Sequence, residues 1–149
     1  VFNSQNGTKK EGVAGIDYKK DINSQVGNLS EADLNLVASS TPDPKKDPEG
    51  AYAKALARAQ KGEFTDSVAQ FNALVLVKKN QTVAIYKDFA LVAASSGNLN
   101  LAIANIEAAI EAVKKDNSLD EPSKTKLTAE LNDTLVFYKL ELSSGAQDE

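Results

Sequence analysis

From about Asp47 to Lys115 apolar residues recur at the spacing of amphipathic helices, and glycines and capping residues divide the run into segments. Tyr52, Ala55, Leu56 and Ala59 share one face of a first helix that Pro48 or Glu49 opens and Gly62 ends. Around Asp66 a second begins, with Val68, Phe71, Leu74 and Val75 as its buried stripe and Lys78-Lys79-Asn80 at its close. A third runs from about Thr82 to Ser96, with Tyr86, Phe89, Ala90 and Ala93 on one side, before Gly97. This segment is apolar almost all round, so Val83-Ala84-Ile85-Tyr86 could also read as a strand; its length and alanine content favour a buried helix. The fourth spans about Leu99 to Lys115, with Ala102, Ile103, Ile106, Ala109, Ile110 and Val113 facing one way.

Beyond Asp116–Glu121 a last helix is expected over about 120–143. Ser118 and Glu121 have capping-box spacing, Pro122 sits in the first turn, and Leu127, Leu131, Leu135, Tyr138 and Leu142 line one face. Upstream, Ser30 and Asp33 cap a helix carrying Leu34, Leu36 and Val37, whereas residues 13–26 are ambiguous. Residues 41–49, with three of the four prolines, form a loop. Residues 1–12 and 144–149 are polar and aperiodic and are expected to be flexible tails flanking a single domain over 13–143.

Self-similarity adds more than any single element. Gly27, Gly62 and Gly97 are 35 residues apart, each followed two positions later by an apolar residue, Leu29, Phe64 or Leu99. Aligning on these glycines places Val68 on Ile103, Phe71 on Ile106, Leu74 on Ala109 and Val75 on Ile110. Tyr52, Ala55 and Ala59 fall 34 residues before Tyr86, Phe89 and Ala93. A period of this length, built as helix, glycine turn, helix, is the mark of a helical-hairpin array. Here the chain resembles the tetratricopeptide repeat (TPR) family, best over about Val83–Lys115. Tyr86, Phe89-Ala90, Ala93, Gly97-Asn98-Leu99, Ala102, Ile106 and Ala109 match that family's pattern. The unit 49–80 matches at Gly62-Glu63-Phe64, Phe71 and Leu74, with Ser67 in place of an alanine. Asp43-Pro44 stands where such repeats often end, which leaves open whether 13–44 completes a further unit. The fold class expected is all-α: TPR-like antiparallel hairpins, about two repeats over 48–115, closed by a C-terminal capping helix. An irregular five-helix bundle is the alternative. Fewer than three repeats rarely stand alone, which is why the last helix is read as a cap.

Composition narrows the chemistry. The chain has 149 residues, 42% hydrophobic and 26% charged, enough to bury a core. It lacks Cys and His, which removes disulfides, cysteine nucleophiles, histidine bases and ordinary zinc sites. A net charge of −4 with Arg58 as the sole arginine argues against nucleic acid, and no apolar stretch suffices for a membrane span. Gly7-Thr-Lys-Lys-Glu-Gly12 imitates a phosphate loop but continues Val13-Ala14 where Lys-Ser/Thr is required. Asp43, Asp47 and Glu49 could collect a hard cation weakly, but read better as solvated loop charges. Glu107, Glu111, Asp116, Glu130 and Asp133 lie on polar helix faces, where nothing separates two pKa values for acid–base work. The expectation is therefore no enzyme, no cofactor and no metal. Val1-Phe2 begins the chain and Met is absent, which leans the reading toward a trimmed, exported or membrane-tethered protein.

What the resemblance implies is a groove along the first helices of the hairpins that takes a protein or peptide. Its lining would be Gly50, Ala53, Ala57, Ala84, Lys87, Leu91 and Ala94, with Arg58 nearby. Residues 51–116 carry eight basic against six acidic side chains, so an acidic or carboxylate-bearing ligand is favoured. The alternative is a structural subunit packed permanently in a larger, perhaps membrane-anchored, assembly or a homo-oligomer.

Overall fold

A computed structural model describes residues 29–145, and every regular element among them is helical. The expected tail 1–12, the ambiguous segment 13–26, Gly27 and residues 146–149 lie outside the described residues. Six α-helices follow one another: α1 Glu31–Ser39, α2 Pro48–Gln60, α3 Phe64–Val75, α4 Val83–Ser95, α5 Leu99–Lys115 and α6 Glu121–Gly145. A short 3₁₀ turn, Lys78–Asn80, separates α3 from α4. Each helix packs against the next in the chain.

Local chemistry explains most boundaries. Ser30, Asp47, Thr82 and Asn98 each accept a backbone N–H of the first turn of α1, α2, α4 and α5. Gly62 (φ 82°) and Gly97 (φ 89°) then reverse the chain. The two turns are bonded alike: Gly62 N donates to Ala59 O and Glu63 N to Arg58 O, while Gly97 N donates to Ala94 O and Asn98 N to Ala93 O. The 35-residue period of the sequence thus recurs as two superposable helix ends. A Cβ built on either glycine meets no atom within 4 Å. Gly97→Ala is therefore expected to cost about 1–2 kcal/mol through the left-handed backbone alone, measurable by urea unfolding.

Two cores result, and α4 belongs to both. Ala51, Ala55, Leu56 and Ala59 of α2 meet Phe71 and Leu74 of α3 and Ile85, Phe89 and Val92 of α4. The Phe71 and Phe89 rings stack at 5.2 Å, with Tyr52 edge-on to Phe71 at 6.2 Å. On its other side α4 turns Ala90, Ala93 and Ala94 toward Ala102, Ile106, Ala109 and Val113 of α5 and Leu131, Phe137 and Tyr138 of α6. Helix α4 is apolar on two sides because it packs into both cores, with Ala84 and Lys87 left on an exposed third side; the strand reading of Val83–Tyr86 falls with the helix. Ser67 and Ala102, 35 residues apart, are both fully buried, and the Ser67 hydroxyl donates to Ala55 O at 2.6 Å. A small side chain lets the helices approach, and the carbonyl satisfies its hydroxyl.

Several boundaries differ from the sequence expectation. Helix α3 starts at Phe64 rather than near Asp66, and it ends at Val75 rather than at the lysines. The following turn is pinned by the buried Asn80, whose amide donates to Leu74 O and Pro44 O. Ser118 does not cap α6; its hydroxyl goes to Asp116 Oδ1, and Asp120 accepts Ser123 N instead. Those bonds from Ser118 and Ser123 hold the Asp116 and Asp120 carboxyls below their usual pKa. Helix α6 continues two residues past 143, through Ser144 and Gly145, so these do not begin a tail. On its packed face Phe137 is buried, while Leu127 and Leu135 are only half-buried. Helix α1 forms where Ser30 and Asp33 indicate, yet Leu36 is 68% exposed and Ala38 is the buried residue.

Candidate functional site

The side chains expected to line a groove lie along α2 and α4, the first helices of the two hairpins. These helices are tied together by the Tyr52 hydroxyl, which donates to Asp88 Oδ2 across 36 residues. Asp88 is buried, and its negative charge and hydrogen bond add to burial in pushing the Tyr52 phenol far above its ordinary pKa. The pair holds the two helices at a fixed separation. Sequence reading placed Tyr52 in an apolar stripe and overlooked Asp88. The available signal was that Asp88 is the sole acid in the mostly apolar Val83–Ser95, where a buried carboxylate requires a donor.

Beside this pair the expected groove is only partly open. Ala53, the residue after Tyr52, is exposed, as are Ala84 and Lys87, the residue before Asp88. Leu91 is half-buried and packs against the first core. Gly50 is half-buried, and its lack of a side chain serves the helix start: a Cβ there would sit 2.3 Å from Asp47 Oδ2, the carboxylate that accepts Gly50 N. Ala57 and Ala94 do not line an open surface. Ala94 joins the second core, and Ala57 is fully buried on the opposite side of α2 from the first.

Arg58 is engaged within the fold rather than free at a rim. Its Nε donates to Ala38 O at 2.9 Å and its Nη1 to Glu63 Oε1 at 2.6 Å, with Asp66 Oδ2 at 3.6 Å. The Arg58 hydrogen bond is the main reason the Glu63 carboxyl lies below its usual range, and Lys61 at 3.7 Å assists.

Other clusters are explained locally. Asp47 caps α2, and Asp43 accepts Lys45 N, so both loop acids already serve backbone donors. Among the described residues no group of three or more metal-ligating side chains converges. A hollow of about 370 Å³ between the end of α5 and the start of α6 is lined by Val113, Lys114, Glu121, Lys124, Thr125 and Thr128. Its lysines are occupied: Lys124 Nζ donates to Lys114 O, and Lys114 Nζ pairs with Glu111. No helix among the described residues is long and apolar enough to cross a membrane. Comparison with protein-family models, with curated proteins and with solved structures returns no match.

Proposed function

We propose that this chain is a non-catalytic protein-interaction module, TPR-like in its hairpins, that holds a protein or peptide segment along α2 and α4. The observation that carries this reading is the surface beside the Tyr52–Asp88 bond, where Ala53, Ala84 and Lys87 are exposed and Leu91 is half-exposed on two helices fixed to each other. Small side chains leave room for a ligand backbone, Leu91 offers apolar contact, and Lys87 offers charge. Preorganisation by the buried pair lowers the entropy lost on binding. The mild excess of base over acid in residues 51–116 favours an acidic segment.

The test begins with an affinity pull-down from the source cell using the whole chain, followed by titration of the recovered partner. Lys87→Glu should leave stability within about 0.5 kcal/mol, because the residue is exposed. The same change should weaken the partner's affinity about three- to tenfold, most strongly at low salt, as a rim charge acts on encounter and register. A normally folded Lys87→Glu variant with unchanged affinity removes Lys87 from the site, and equal silence of Leu91→Asp removes the groove.

A second reading, permanent packing in an assembly or homo-oligomer, is favoured by one feature. Val136 and Leu140, one turn apart on α6, are 56% and 64% exposed. Solution mass against concentration separates the two readings, since a dilution-resistant oligomer supports the assembly.

A further inference from the structure

Ala38 and Ala57 stand apart from the rest of the interior. Among the described residues they are the two buried apolar side chains that belong to neither core. On α2, Ala55 and Ala59 point into the first core, and Ala57, two residues from each at 100° per residue, points the opposite way. Helix α1 packs against α2, and the Arg58 bond to Ala38 O places the end of α1 beside Ala57. Ala57 thus lies on the face of α2 away from the first core, on the side where α1 ends.

We propose that α1 is a releasable strap, latched by Arg58, whose opening uncovers the outer face of α2 at Ala57 while both cores stay closed. The helix has nine residues, of which Ala38 alone is buried, so little apolar burial holds it down. Beyond the local serine caps, the Arg58 side chain of α2 hydrogen-bonds it, and a guanidinium at a helix C-terminus also meets the negative end of the dipole. Glu63 and Asp66 hold the guanidinium in place from α3 and its entry turn. The hinge is equally defined. Pro44 is pinned by Asn80, and Asp43 is folded into its own turn, so motion is confined to about residues 40–42. Release would extend the open face of α2 from Ala53 to Ala57. The device itself requires no ligand and stands independently of the groove reading.

Because the chain has no cysteine, a single introduced thiol reports on it cleanly. In the full chain, Ala57→Cys and Ala55→Cys each replace a side chain with 0% exposure, the first under α1 and the second in the core. The thiol at 57 should react with DTNB about tenfold or more faster than that at 55, because local opening is more frequent than global opening. Adding Arg58→Gln to the Ala57→Cys variant should raise the rate at 57 by about tenfold, as expected for loss of one charge-assisted hydrogen bond. Equal rates at 57 and 55 would overturn the strap. A rate at 57 that Arg58→Gln leaves unchanged would overturn the latch. Should either cysteine variant fail to fold, amide exchange on the unaltered chain decides. The amides of α1 should exchange without denaturant dependence, while those of α4 follow global unfolding; a common dependence refutes separate opening.

Discussion

Phe89→Ala is expected to cost about 3–5 kcal/mol, the largest loss of any single truncation considered for this fold. The ring is 1% exposed, stacked on Phe71, and held between Ala55 and Ala59 of α2 and Leu74 of α3. Three helices converge on it, and α4 cannot collapse into the gap because Ala90 and Ala93 already fix its other side against α5 and α6. A cavity would therefore persist, and the cavity contribution adds to the lost transfer energy. Urea unfolding followed by circular dichroism measures the loss. Leu76→Ala is the control: Leu76 is 84% exposed, so its truncation should fall within about 0.5 kcal/mol. A Phe89→Ala loss below about 1 kcal/mol would mean that the ring is not wedged between the hairpins.

That Phe89 is buried was legible from the helical spacing of α4, but its partners were not. The expected Tyr86–Phe89–Ala90–Ala93 stripe divides, Phe89 joining Phe71 and Leu74 in the first core and Ala90 and Ala93 joining the second. The Gly97 turn and the Ala102–Ile106–Ala109 stripe are local patterns and were read directly. Helix α5 was readable to the residue, since Asn98 caps one end and Lys114-Lys115 complement the other. Local rules failed where two of them competed. Ser118 and Asp120 are both good caps; Asp116 captures the Ser118 hydroxyl, which leaves Asp120 to accept Ser123 N. At the end of α3, Lys78 and Lys79 suit a helix terminus, but the buried Asn80 amide takes the Leu74 carbonyl and turns the chain earlier.

The candidate site was less legible, for a different reason. Whether Ala57 or Ala94 lines a groove depends on what lies across from it, and period alone cannot supply that. Ala94 is claimed by the second core. Ala57 is claimed by α1, whose capping was readable but whose docking rests on one arginine twenty residues away. Gly50 looked like space for a ligand and is space for the Asp47 carboxylate. Ala53, Ala84 and Lys87 are exposed because no other element among the described residues packs over them.

The remaining large effect concerns the Tyr52–Asp88 pair. Tyr52→Phe preserves the ring against Phe71 and removes only the hydroxyl, leaving the buried Asp88 carboxylate without that donor. A hydrogen bond to a charged group contributes about 1.5–3 kcal/mol, and the variant should lose that much at pH 7–8. The pH dependence then distinguishes this bond from simple packing. Burial, first, and then the Asp88 charge and hydrogen bond raise the folded-state phenol above its ordinary pKa of 10.0. Above pH ~10 the unfolded chain releases the Tyr52 proton while the folded chain keeps it, so stability falls as pH rises. The contribution is fully present below pH ~10 and is lost progressively above it, by up to about 1.4 kcal/mol per pH unit. Phe cannot ionise, so the variant lacks this loss. Every other side chain is common to both proteins, so the difference isolates Tyr52. The stability gap between wild type and Tyr52→Phe, measured by urea unfolding, should therefore be constant from pH 7 to about 9.5 and narrow by pH 11. A gap unchanged across that range would show that the Tyr52 hydroxyl is not buried against Asp88, and with it would go the link between α2 and α4 on which the proposed groove depends.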